Sequence, residues 1–188
     1  MSGKITIALA GLGSRGKDTY AQAVKKFPEK MEIVAIADID PAKVEEVAEE
    51  FHIPQERCFT SAEDLIAQDK LADVMFITTQ DQQHVRQAIP ALRKGYHLLL
   101  EKPISPDLDE CRELVKVAKE CDRQVIVCHV LRYTPIYSKV KEVIDSGVAG
   151  DIVSVMSIEN VGYWHQAHSF VRGNWRNSNT TSPMILLM

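Results

Sequence analysis

The 188-residue chain has no stretch of about eighteen consecutive apolar residues, the length a membrane-spanning helix needs. It also lacks any Lys/Arg cluster, and its formal net charge is −4. Membrane and nucleic acid are therefore not expected as partners. The four cysteines, Cys58, Cys111, Cys121 and Cys128, form no C-x-x-C pair. The first apolar run, Ile5–Ala10, is interrupted by Gly11 and Gly13 and followed by Arg15 and Lys17, which makes a poor signal peptide. Without a secretory signal the cysteines read as reduced thiols, and the cytoplasm is the default location. No internal repeat and no low-complexity tract occurs.

What the chain does have is alternation. Residues 4–10 (KITIALA) and 31–38 (MEIVAIAD) are apolar, β-branched runs that predict buried strands, as do 73–78, 96–100 and 124–129. Between them lie helical patterns. The first covers about 14–27, with Tyr20, Val24 and Phe27 on one side. Asp40-Pro41 reads as an N-cap followed by a first-turn proline, opening a helix to Phe51. Ser61 with Asp64 repeats that logic, and Asp81 and Ser105-Pro106 supply two more helix starts. Gly95 stands where a helix end needs a left-handed residue. Strands alternating with helices imply right-handed crossovers and a doubly wound parallel α/β sheet.

One loop in this pattern carries chemistry. Gly11-Leu12-Gly13-Ser14-Arg15-Gly16 is a G-x-G-x-x-G that follows a strand and opens a helix. In that setting the first glycine permits a tight turn, and the second lets the backbone approach a pyrophosphate. The third lets helix and strand pack closely. The helix N-terminus then favours an anion. Asp38, twenty-two residues after Gly16, ends the second strand. A carboxylate there accepts hydrogen bonds from both hydroxyls of an adenosine ribose and repels a 2′-phosphate. These features predict a Rossmann domain that binds NAD in preference to NADP, with Arg15 the one residue able to reach toward a 2′-phosphate.

Other candidates sit at strand C-termini, where ligands bind in such sheets. Thr78-Thr79 lies at the end of the strand 73–78, and His84 lies one turn into the next helix, either as a cofactor contact or as a locally bonded histidine. Glu101-Lys102-Pro103 ends the strand 96–100, which aims the Lys102 ammonium at the same crevice. A lysine there can hydrogen-bond a substrate hydroxyl and take part in proton transfer. His129 and Arg132 lie at and after the end of the strand 124–129; Arg132 is either at the nicotinamide end or at a domain interface.

The glycine loop, Asp38, Glu101-Lys102-Pro103 and the later Tyr137…Gly147…Gly150-Asp151-Ile152 stretch together resemble the Gfo/Idh/MocA family of NAD(P)-dependent oxidoreductases. The resemblance implies a Rossmann domain followed by an α/β domain on an open, mostly antiparallel sheet. It also implies hydride transfer between NAD and a hydroxyl or carbonyl of a sugar, cyclitol or similar polyol. Lys102 takes the role of the family lysine that reaches cofactor and substrate, with a cis Lys-Pro peptide. The sequence departs from the family at Thr79-Gln80, where Thr-Pro is common.

The expected division is 1–125 for the NAD-binding domain and 126–188 for the start of a substrate and oligomerisation domain. Pro135 to Ser146 predicts a helix, and Ile152 to about Glu159 a strand. The family's helix bearing a catalytic Asp and His has no counterpart before Met188, so the second domain reads as incomplete. The exposed edge and apolar tail this leaves predict a homo-oligomer formed through that region, or disorder after Asn160. Two alternatives stay open: a glycosidase using tightly held NAD, and a cofactor-binding or interaction module without catalysis. His165-x-x-His168 has ligand-like spacing but no acidic or thiol partner nearby, so no metal is expected. Trp164, Trp175 and Arg176 either approach a sugar or pack the second domain.

Overall fold

The computed structural model describes residues 3–158, 160–173 and 175–177. The chain divides into two compact units, Met1–Val127 and Cys128–Met188. The first is built on six strands: β1 (Ile5–Ala10), β2 (Met31–Ala37), β3 (Cys58–Phe59), β4 (Val74–Ile77), β5 (His97–Leu100) and β6 (Val125–Val127). Their spatial order is β3-β2-β1-β4-β5-β6, and every pairing is parallel. This is the doubly wound sheet that the alternation of strands and helices predicts. β3 alone has no signature in the sequence, because two residues carry no period.

The helices of this unit are α1 (Gln22–Lys26), α2 (Pro41–Phe51), α3 (Ala62–Ala67), α4 (Asp81–Arg93) and α5 (Leu108–Glu120). A wider π-helical stretch, Ser14–Ala21, leads directly into α1. Its partners on one face of the sheet are Ile7, Leu9, Ile33 and Ile36, packed with Ala21, Val24, Val44 and Val47. On the other face Ala8, Ala10, Ala35 and Ala37 meet residues of α3, α4 and α5, with Leu65, Leu92 and Leu114 wholly or almost wholly buried. Each such leucine contributes about 1.5–3 kcal/mol by leaving water. A bulge after Ile7, where the register passes from Ile33 to Ala35, lets Ile33 and Ile36 share one face although they are three apart.

Caps place the helices where the sequence predicts, with two shifts. Asp40 accepts the Ala42 N–H at 3.1 Å with Pro41 in the first turn, and Ser61 accepts the Asp64 N–H at 3.0 Å. Gly95 is left-handed, at φ +91°. The fifth helix starts at Leu108 rather than after Ser105, because the Asp107 carboxylate accepts two N–H groups, from Asp109 and Glu110. Ser105 instead closes the preceding turn, accepting the Asp107 N–H at 3.0 Å. Phe27 lies just past the end of α1 and is half exposed, with the Lys30 ammonium 5.5 Å from its ring centre. It does not join Val24 in the core as the helical spacing suggested.

The second unit contains a 3₁₀ turn, Val130–Tyr133, and α6 (Pro135–Asp145), with Thr134 before it and Gly147 left-handed after it. Further on, α7 (Tyr163–His165) continues into a π-helical stretch, Gln166–Val171. Residues 152–158, expected to begin a strand, form no ladder. A strand is defined by its hydrogen-bonded neighbour, and the described residues of this unit supply no other strand. The apolar run 184–188 lies outside the described residues.

One clamp joins β1 to the entry of β4. Asp73 accepts the Thr6 N–H at 2.9 Å and the Thr6 hydroxyl at 2.7 Å, and these bonds hold its carboxyl below the ordinary 3.8. A carboxyl depressed in the folded state adds stability above its unfolded value, and loses it as pH falls through the folded value. Asp73→Asn is expected to be less stable than the wild type near neutrality, with the gap closing below pH 3.8. Urea unfolding at a series of pH values checks this; a gap independent of pH would refute the clamp.

Candidate dinucleotide and substrate site

The site begins where β1 runs out. Gly11 takes φ +92°, and a Cβ there would lie 2.8 Å from the Thr78 carbonyl group. Gly16 is tighter still: a Cβ would fall 1.9 Å from the Gly11 carbonyl oxygen and 2.7 Å from the Thr78 hydroxyl. That hydroxyl bonds the Ala10 and Gly11 carbonyls at 3.0 and 2.6 Å, tying the end of β4 to the loop. These two glycines are required by the protein itself.

Gly13 is different. Its φ is −72°, open to any residue, and a Cβ would meet no heavy atom of the described residues within 4 Å. Neither backbone conformation nor packing calls for glycine at this point. The open space lies at the start of a helix whose first N–H groups have no acceptor within their own helix, an arrangement that suits an anionic group. Ser14 and Arg15 beside it are exposed. Lys17 is committed elsewhere: its ammonium holds Glu46 at 2.8 Å, and that bond raises its pKa.

Asp38 stands next to this loop. Its Oδ2 accepts the Leu12 N–H at 2.5 Å and its Oδ1 accepts the Asp40 N–H at 2.9 Å. Each oxygen retains a further lone pair. Ile39, which follows, is 87% exposed and offers no cation to a phosphate.

Along the same edge, Thr79 donates to Gln87 Oε1 at 2.7 Å. His84 is buried, with Nδ1 2.7 Å from the Pro103 carbonyl and Nε2 3.1 Å from the Thr79 carbonyl. Each ring nitrogen faces a backbone carbonyl, and the one that carries the proton donates to it, so the ring packs between the loop after β4 and the turn after β5. Glu101 is buried while Lys102 beside it is exposed, and the Lys102-Pro103 peptide is cis. Arg132 belongs to the second unit, exposed on the turn Val130–Tyr133.

The sequence reading missed Tyr20, whose hydroxyl donates to Glu101 Oε1 at 2.6 Å. Its position four residues after Gly16, on the same helical turn, was the available signal.

In the second unit Trp164 stacks on His168 with ring centres 5.8 Å apart. His165 meets Phe170 edge-on at 5.8 Å, and Trp175 lies 6.4 Å from Phe170. These aromatics pack one another. Among the described residues no group of three His, Cys, Asp or Glu could hold a metal, and no helix is long and apolar enough to cross a membrane. A groove of about 590 Å³ lined by Leu114, Ala118, Arg123, Val125 and Val127 takes in none of the residues at the glycine loop.

Residues 5–129 match the Gfo/Idh/MocA family model, described as an oxidoreductase family with an NAD-binding Rossmann fold. The chain belongs to this family. Among its Gfo/Idh/MocA relatives is the inositol 2-dehydrogenase of Corynebacterium glutamicum (strain R), 29% identical over 159 residues, 84% of this chain and 46% of that protein. Two solved structures are similar as well. The scyllo-inositol dehydrogenase of Lactobacillus casei with bound NAD(H) and scyllo-inositol gives a TM-score of 0.72 at 25% identity, covering 79% of this chain and 43% of that one. The WlbA dehydrogenase of Bordetella pertussis, in complex with NADH and UDP-GlcNAcA, gives 0.71 at 26% identity, with 78% and 42% covered. The chain spans less than half the length of these relatives.

The glycines make a paired prediction. Gly16→Ala is expected to cost about 1–3 kcal/mol by overpacking, whereas Gly13→Ala changes stability by less than about 0.5 kcal/mol. Denaturant unfolding of both variants checks the contrast. Equal losses would show that Gly13 also serves packing.

Proposed function

We propose that this chain supplies the NAD-binding half of a dehydrogenase that acts on a hydroxyl or carbonyl of a sugar, cyclitol or related polyol. The observation that carries it is Gly13: a glycine without conformational or packing cause, opening onto space at a helix N-terminus beside the Asp38 carboxylate. In this reading the loop from Gly11 to Gly16, with Leu12, Ser14 and Arg15, receives the pyrophosphate through backbone N–H groups. Asp38 accepts the ribose hydroxyls with its remaining lone pairs and repels a 2′-phosphate, so NAD is the cofactor and NADP the poorer fit. NAD supplies the hydride acceptor.

Thr78, Thr79, Glu101 and Lys102 line the nicotinamide side, with His84 holding their two loops together from beneath. The exposed Lys102 ammonium donates a hydrogen bond to the reacting oxygen of the substrate and orients it. Residues 1–125 form the cofactor domain, and 126–188, with Arg132 near its start, begin the domain for substrate and self-association. The polyol class is supported by the inositol dehydrogenases among the relatives.

Titration calorimetry with NADH and NADPH tests the cofactor side. NADH is expected to bind at least about tenfold more tightly, a difference of about 1.4 kcal/mol. Gly13→Ala is expected to weaken NADH by about tenfold or more, since a methyl group would enter the anion's place. Preference for NADPH would overturn the role of Asp38. On a panel of polyols, Lys102→Met is expected to lower NADH formation by about 10²-fold or more, with NADH affinity little changed. Undiminished turnover in that variant would remove Lys102 from the chemistry.

A further inference from the structure

Lys102 stands between two residues whose polar groups are each held by a distant side chain. On the far side, the Pro103 carbonyl meets His84 at 2.7 Å. On the near side, Glu101 Oε1 accepts the Tyr20 hydroxyl at 2.6 Å, and Glu101 Oε2 accepts the Lys102 backbone N–H at 3.0 Å. Glu101 is only 6% exposed. Bonds to a carboxylate in such a place are stronger than the same bonds in water, and losing one leaves an oxygen that water does not readily reach.

Tyr20 is placed independently of that bond. Its ring meets Phe76 of β4 edge-on, with centres 5.9 Å apart and planes at 78°. It lies in the π-helical stretch that begins at Ser14, and Gly16 presses that stretch onto the Gly11 carbonyl. The hydroxyl is therefore delivered by the same backbone that forms the glycine loop.

We propose that Tyr20 is a positioning residue for Lys102: its hydroxyl fixes the buried Glu101 carboxylate, which fixes the backbone from which the Lys102 side chain starts. Without the hydroxyl, the buried Glu101 Oε1 loses its donor, the carboxylate reorients, and Oε2 releases the Lys102 N–H. The lysine then samples more directions. The catalytic consequence rests on the dehydrogenase reading above; the geometric consequence does not.

The test uses the 188-residue chain and Tyr20→Phe, which keeps the ring against Phe76 and removes only the hydroxyl. Two quantities are read: NADH affinity by fluorescence titration, and the rate at which each lysine is acetylated by an N-hydroxysuccinimide ester. Lys43 and Lys116, both in surface ion pairs elsewhere on the unit, serve as internal references. Lys102 acetylation is expected to change by at least about threefold, with the references unchanged and NADH affinity within about threefold. Glu101→Asp keeps the carboxylate but shortens its reach, and should shift Lys102 acetylation in the same direction. Adding Tyr20→Phe to Glu101→Asp should shift it little further. Lys102 acetylation at the wild-type rate in both single variants would overturn the proposal. A wild-type chain without NADH binding would instead overturn the dehydrogenase reading, with the acetylation contrast still deciding the role of Tyr20.

Discussion

Everything at the site depends on how closely one helix crosses one strand end. The stretch beginning at Ser14 can lie against the Gly11 carbonyl only because residue 16 has no side chain. That approach brings the Thr78 hydroxyl into bonding range of the Ala10 and Gly11 carbonyls. It also sets Leu12 so that its N–H meets Asp38, and directs Tyr20 to Glu101. A backbone shift of an ångström there would disturb each of these bonds. The family fold is thus held at a point where van der Waals exclusion, rather than attraction, sets the geometry.

Much of this was legible in the sequence, for identifiable reasons. Gly11, Gly13 and Gly16 are informative because a strand precedes them and a helix follows, and the sheet order then leaves their loop at the strand C-termini. Asp38 is legible because strand ends are marked by the loss of apolar character. Asp40, Ser61 and Gly95 announce helix ends through local hydrogen-bonding chemistry that does not need the rest of the fold.

Most of the illegible parts depend on residues distant in the chain. Nothing local to Tyr20 indicates that its hydroxyl meets a carboxylate 81 positions away. His84 reads either as a cofactor contact or as a locally bonded histidine, and only the fold places its two nitrogens against the Thr79 and Pro103 carbonyls. The start of α5 was misplaced because Ser105 and Asp107 are both competent caps, and only the turn geometry decides between them. Residues 152–158 have strand composition, but composition does not supply a neighbour.

The two outermost strands of the sheet are its shortest, β3 with two residues and β6 with three. An edge strand displays unpaired N–H and C=O groups, and its length sets how many bonds a stray chain could form with it. Cys58–Phe59 offers a template too brief to register an intruding segment, while the longer β1 and β2 lie inside the sheet, paired on both sides. A parallel sheet assembles slowly, because its strands are joined by long crossovers. Brief margins limit its capacity to recruit other copies into amyloid-like stacks while its centre is still forming.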